Sequence, residues 1–257
     1  MASPFKIVLI GSGNVGTHLG HAFIQVGHQV LQVYSKTANS AKTLADQLNT
    51  AFTDELDNIY QTADIYVIAV RDDAIEQIVP GLNFPGKIIA HTAGSVPMEV
   101  LKGSFQGYGI FYPLQTFSKG KPADFTTVPI CIEGSDKDTS SQLKLLAGSL
   151  SGNVREISFE KRKMLHLSAV FVCNFTNHMY TIASDLLEKE GLSFDLILPL
   201  IKETTAKLNH VSPTEGQTGP AIRNDQEVIE EHLGALEENE DYQNIYKLLT
   251  ESIQKKN

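Results

Sequence analysis

Cysteine is scarce in this sequence: Cys131 and Cys173 are the only two in 257 residues, in unrelated contexts and without histidines at zinc-ligand spacing. A disulfide framework and a zinc motif are thereby excluded, and both residues read as small buried hydrophobes. Long apolar runs are also missing. The longest, residues 7–10 and 169–173, fall far short of the ~18 residues that a membrane-spanning helix needs, so no membrane partner is expected. Positive charge is in deficit, with 21 Lys+Arg against 30 Asp+Glu and a net charge of −9. A broad footprint on a phosphate backbone needs clustered Lys and Arg, so no nucleic acid partner is expected either. Residues 1–6 lack a basic stretch followed by an apolar core and a small-residue cleavage site, which reads as no secretory signal and a cytoplasmic location.

What is present is an ordinary globular composition, 42% hydrophobic and 20% charged, enough for one large or two modest domains. Short β-branched runs at 5–10, 29–34, 65–70, 87–91 and 108–111 alternate with segments of helical period at 14–26 and 38–48. A further strand at 128–133, a helix at 136–150 and a closing strand at 153–157 complete this half. Strand–helix–strand order implies parallel pairing with right-handed crossovers. The nearly all-apolar runs fit strands covered on both faces. Beyond residue 158 the pattern is helical, with segments at 159–189, 193–208, 225–236 and 241–254. The expected fold is α/β: a Rossmann doubly wound, mostly parallel sheet over residues 1–155, followed by an all-α domain over residues 156–257.

Gly11, Ser12, Gly13, Asn14, Val15 and Gly16 follow the first strand and open an amphipathic helix. In that frame a GxGxxG loop has a mechanism. The first glycine makes the turn, the second lets the backbone approach a pyrophosphate, and the third packs helix on strand. At the end of the second strand, where an acidic residue would meet the ribose hydroxyls of NAD, the chain reads Tyr34, Ser35, Lys36, Thr37. With no carboxylate to repel a 2′-phosphate and three groups able to donate to it, NADP (NADPH) is favoured over NAD. The plainer reading is that Ser35 caps the next helix and Lys36 is solvated. Val70 and Arg71 should lie beside the cofactor, with Asp72 or Asp73 capping the helix after them. Thr92 and Ser95, in the stretch from His91 to Ser95, suit close approach to a nicotinamide or substrate, and Ser95 could instead cap a helix.

In the helical half, regular spacing would bring His166, Val170, Asn174 and Asn177 onto one face. Polar groups in an otherwise apolar helix must find partners or line a cavity. Arg223, after the rigid Gly219–Pro220 turn, could bind a phosphate or carboxylate, and Asp225 could cap the helix that follows. Leu196, Ile197, Leu198, Leu200 and Ile201 fit either a homodimer interface or the domain's own core.

The glycine loop, the His91–Ser95 stretch, Tyr112-Pro113-Leu114-Gln115-Thr116-Phe117, the helix from His166 to Asn174 and the segment from Gly219 to Asp225 stand in the order of a known bacterial family. Over essentially its whole length the chain resembles that family, in which a Rossmann-like domain precedes a helical domain of unknown function. Members are described as predicted NADP oxidoreductases or as coenzyme F420-dependent NADP oxidoreductase-like proteins. In the family a histidine usually precedes the Pro-Leu-Gln-Thr-Phe stretch; here Tyr112 stands there, so a role resting on that histidine does not transfer. More distantly the architecture is similar to pyrroline-5-carboxylate reductase and β-hydroxyacid dehydrogenases, whose helical domains usually form dimers, although their catalytic lysine motif has no clear counterpart here.

These readings lead to an NADP-dependent oxidoreductase moving hydride between the nicotinamide and a small carbonyl or imine substrate in the interdomain cleft. His166 would donate the proton, because imidazole titrates near neutrality. Asn174 would orient substrate, Ser95 and Thr92 would hydrogen-bond the nicotinamide or carbonyl, and Arg223 would pair with a substrate carboxylate. A homodimer through the helical domain is expected and no metal is called for. The competing expectation is a non-catalytic NADP-binding regulatory or scaffold protein; F420 as the redox partner shares the fold.

Overall fold

The alternation of the first strand shows why its sequence is apolar throughout. In Lys6–Ile10 (β1), Ile7 and Leu9 face one side and Val8 and Ile10 the other, and each side is a core. The computed structural model describes residues 3–103, 105–118, 120 and 122–256. Met1 and Ala2, the start of the segment read for a leader, lie outside them.

Helix Asn14–Gln25 (α1) leads from β1 to strand Gln29–Tyr34 (β2), and helix Ala38–Leu48 (α2) leads on to strand Ala51–Thr53 (β3). Strands Ile65–Ile68 (β4), Ile88–His91 (β5) and Gly107–Pro113 (β6) follow, with a short helix Asp72–Ile78 (α3) after β4. Strand Ile130–Gly134 (β7), helix Lys137–Leu150 (α4) and strand Val154–Glu156 (β8) complete one sheet in the order β3-β2-β1-β4-β5-β6-β7-β8. All pairs are parallel except β6 with β7. The doubly wound, mostly parallel sheet is thus present, with β3 as a strand that three residues of sequence did not reveal. The chain runs outward from β1 in both directions, so the crevice at the carboxyl ends of β1 and β4 is the switch point where such sheets take ligands.

Beyond the sheet come helix Phe159–Ala169 (α5), a π-helical stretch Val170–Phe175, and helices Thr176–Lys189 (α6), Leu198–Ala206 (α7), Gln226–Ala235 (α8) and Glu240–Gln254 (α9). By packing the chain divides into two units, Met1–Cys173 and Asn174–Asn257. The expected boundary at 155 falls within β8, and the division by packing lies later because α5 is bonded to the sheet through Arg162.

The second unit buries few large side chains within the chain: Leu196 and Leu200 are about two-thirds exposed, as is Leu248. Of residues 196–201, Leu196 and Leu200 thus lie outside the chain's own core, whereas Ile197 and Ile201 are partly buried within it. Cys173 is exposed, whereas Cys131 is buried as expected. No helix among the described residues is long and apolar enough to cross a membrane.

Candidate functional site

At the end of β1 the backbone turns through Gly11 with φ +123°, a conformation that side chains rarely adopt. A Cβ there would collide with the Ala69 carbonyl, and one at Gly16 with the carbonyl of Gly11. Both glycines are therefore structural requirements of the turn. Gly13 is different. It is exposed, its φ is −74°, and a Cβ would meet none of the described residues within 4 Å. Gly13 is the N-cap of α1 and offers no capping side chain, and the first helical bond is Thr17 N–H to the Gly13 carbonyl. The first-turn amides thus have no side-chain cap from the N-cap residue, which fits a pyrophosphate. Asn14 donates instead to the carbonyl of Phe117, so its side chain anchors the loop after β6; Ser12 and Val15 are half-buried.

Tyr34 ends β2 buried, and its hydroxyl is pushed up by burial and then by Asp54. Ser35 is half-buried and Lys36 exposed; among the described residues Lys36 has no ion pair, which leaves its ammonium available to a phosphate. The helix is not capped by Ser35: Thr37 is the N-cap of α2, and its hydroxyl donates to Ser40. Val70 packs beside the loop, its Cγ1 within 3.1 Å of where a Gly11 Cβ would be. Arg71 is ion-paired with Asp73 at 2.6 Å, and its side chain is 84% exposed. Asp72 and Asp73 lie inside the first turn of α3, where Arg71 is the N-cap, so neither caps the helix as expected.

The turn after β5 is built on His91, fully buried. Nδ1 accepts from the Ala93 amide at 3.2 Å, and Nε2 stands 3.3 Å from the Pro97 carbonyl. An accepting Nδ1 requires the proton on Nε2, so His91 is a neutral staple that shapes residues 92–97. Burial drives its pKa down to about 4, with Arg162 adding to the effect and the Pro97 carbonyl and Asp72 opposing it. Because the folded pKa lies below the unfolded value near 6.5, unfolded chains take up the proton first. The stabilisation is complete above about pH 6.5 and is lost as pH falls through about 4, amounting to ~3 kcal/mol. Urea unfolding across that window should show this slope, and His91→Gln should flatten it; equal slopes would refute the staple. Thr92 is buried behind this turn. Ser95 is exposed and donates to the Asp72 carboxylate rather than capping a helix.

Above this turn stands a pair that the sequence did not reveal. Tyr112, at the end of β6, places its hydroxyl 3.0 Å from His166 Nδ1 on α5. Gly94 lies beneath both: a Cβ there would sit 2.7 Å from Nδ1 and 2.9 Å from Tyr112 Cζ. Burial pushes the Tyr112 hydroxyl up to about 12, so it remains a phenol. One turn before His166, Arg162 is entirely buried, with Nη1 on Glu133 at 2.5 Å and Nη2 on the Val96 carbonyl at 2.7 Å. That guanidinium joins α5 to β7 and to the turn carrying Ser95. Tyr112 and Arg162 were missed because their partners are remote in sequence. The available signal was a tyrosine where the resembled family carries a histidine.

Thr92, Ser95 and His166 are thereby gathered with the glycine loop along the carboxyl edge of one sheet. Asn174 and Arg223 belong to the second unit, and both are exposed. Arg223 faces Asp225 at 3.9 Å, and Asp225 is the N-cap of α8 without a side-chain cap bond. The six-residue π-helical stretch breaks the 3.6-residue period on which the expected stripe from His166 to Asn177 depended. A cavity of about 630 Å³ lies at the opposite edge of the sheet, lined by Asp64, Asp136 and Asp138 with Lys87 as a cation among them; the excess of negative charge disfavours a phosphate. Among the described residues no cluster of His, Cys, Asp and Glu could hold a metal ion.

Residues 2–110 match the model of a Rossmann-like domain, and residues 128–253 match a domain of unknown function, DUF2520. An inferred NADP oxidoreductase of Bacteroides fragilis is 43% identical, with 98% of each chain covered and a TM-score of 0.93. The chain belongs to this Rossmann-like, DUF2520 family. Family membership accounts for the order of the motifs over both units. Two more distant structures share the fold. The 1-pyrroline-5-carboxylate reductase of Streptococcus pyogenes is 13% identical, covering 99% of this chain and 100% of its own, with a TM-score of 0.67. A reductive aminase of Aspergillus terreus, solved with NADPH, is 16% identical, covering 99% and 95%, with a TM-score of 0.73. No curated protein matches the sequence.

Proposed function

We propose that this protein is an NADP-dependent oxidoreductase acting on a small carbonyl or imine substrate. The observation that carries the reading is the shared sheet edge. An open, uncapped helix start at Gly13 follows β1, and an accessible imidazole backed by a buried phenol stands over the turn after β5. The 43%-identical Bacteroides fragilis protein supports the same reading.

When bound, the nicotinamide supplies or accepts hydride. The chain's own residues do the rest. Gly11, Gly13 and Gly16 let backbone amides meet the pyrophosphate, while Ser35 and Lys36 donate to the 2′-phosphate. The exposed Ser95, with the largely buried Thr92 in the same turn, hydrogen-bonds the nicotinamide or carbonyl, and His166 donates to the substrate heteroatom. Residues 1–155 act as the nucleotide-binding domain and residues 156–257 as the substrate and dimerisation domain, in which Asn174 orients substrate and Arg223 pairs with a carboxylate. The exposed Leu196, Leu200 and Leu248 support burial against a second copy of the chain.

Titration of nucleotide-stripped protein with NADPH and with NADH, followed by nicotinamide fluorescence, tests the cofactor. Charge-assisted contacts to the 2′-phosphate predict NADPH binding tighter by about tenfold or more. Binding of neither nucleotide would withdraw the oxidoreductase reading.

A further inference from the structure

His166 has two ring nitrogens, and what it can do depends on which one carries the proton. Tyr112 Oη lies 3.0 Å from Nδ1, with the two rings edge-on at 68° and their centroids 6.1 Å apart. Tyr112 is 9% exposed, whereas His166 is only partly covered. A buried hydroxyl needs an acceptor for its proton. Among the described residues the one hydrogen-bond partner of this hydroxyl is Nδ1. With the phenol donating, Nδ1 is the acceptor, and a neutral ring then carries its proton on Nε2.

The position of the ring is over-determined. The missing Cβ of Gly94 is what allows both rings to settle over the turn, since that atom would lie 2.8 Å from His166 Cγ as well as 2.7 Å from Nδ1. Four residues earlier on α5, Arg162 fixes the helix to Glu133 and to the Val96 carbonyl. We propose that Tyr112 is the positioning residue of this site: its phenol donates to Nδ1 and so holds His166 as the Nε2–H tautomer, with Nε2–H presented as the hydrogen-bond donor to the substrate heteroatom.

This inference rests on the reading of His166 as the donor, and it identifies the atom that donates. It also gives Tyr112 a task that phenylalanine, nearly identical in shape, cannot perform.

The test is long-range ¹H–¹⁵N correlation of the imidazoles in the ¹⁵N-labelled full-length chain at alkaline pH, with His166 assigned by its loss in His166→Gln. The wild type should show pyrrole-like Nε2 and a pyridine-like Nδ1 shifted by an accepted hydrogen bond. In Tyr112→Phe both resonances should move toward the tautomer-averaged values of an unconstrained imidazole. His91, held by Ala93 and Pro97, is the internal control and should keep its pattern; loss of the His91 pattern would mean Tyr112→Phe disturbs the fold. Gly94→Ala, which drives a methyl into the pair, should then serve as the second variant and release the His166 tautomer alone.

A wild-type His166 protonated on Nδ1 would overturn the proposal. So would a Tyr112→Phe spectrum unchanged at His166. Titrating the same samples with NADPH separates the two levels: failure of the tautomer with NADPH still bound sinks this inference, while absence of NADPH binding with the tautomer in place sinks the functional reading instead.

Discussion

Arg162→Met should lose roughly 3 kcal/mol of folding stability, the low end of the range for removing one partner of a buried ion pair. The guanidinium is fully buried, whereas the Glu133 side chain keeps 19% of its exposure, so the carboxylate stranded by the change retains some water. Phe159 N–H still donates to Glu133 at 3.2 Å, which softens the loss further. The native arrangement is itself imperfect, because among the described residues Nε of Arg162 has no hydrogen-bond partner. A buried donor without a partner costs about 1–3 kcal/mol, and methionine removes it. Arg162→Met with Glu133→Gln should therefore be more stable than Arg162→Met alone by at least about 1 kcal/mol. Urea unfolding of the four species closes the cycle, and strict additivity would show that the pair is not coupled.

Substitutions in the glycine loop should separate folding from binding. Gly11→Ala forces an L side chain into φ +123° and against the Ala69 carbonyl. Backbone cannot yield as a side chain tip can, so a loss of about 3 kcal/mol or more is expected. Gly13→Ala enters open space at φ −74° and should change stability by no more than about 1 kcal/mol. Yet the added methyl stands where a pyrophosphate would approach, so NADPH affinity should fall by about tenfold or more. Thermal unfolding and NADPH titration of both variants make the comparison. Unchanged affinity in a folded Gly13→Ala protein would mean that the phosphates do not lie against this turn.

The contrast between these glycines also shows what the sequence made legible. The loop could be read because its geometry is local: strand, turn and helix follow one another within some twenty residues, and Gly11 and Gly16 answer steric needs of the turn itself. The sheet was readable for the same reason, since strands covered on both faces carry continuous apolar runs. β3 escaped because three residues hold no period. The Tyr112–His166 pair escaped because it joins residues 54 apart in sequence, and Arg162 because nothing about an arginine on a charged helix announces complete burial. The stripe through His166, Asn174 and Asn177 assumed an uninterrupted α-helix, and a π-helical stretch has no reliable signature in composition. His91 ends β5, as its strand pattern indicated, but its work as a neutral staple depends on two backbone groups that only the folded turn supplies.

The two outermost strands of the sheet, β3 and β8, are only three residues each. A strand arriving from another molecule would find roughly 10 Å of ladder to pair with, too little to hold it. Arg155 and Glu156 place charge along the β8 edge. A sheet of eight strands, otherwise a template for runaway stacking into fibres, is thus protected at both ends by brevity and at one by charge, and the chain should tolerate high concentration without polymerising through its edges.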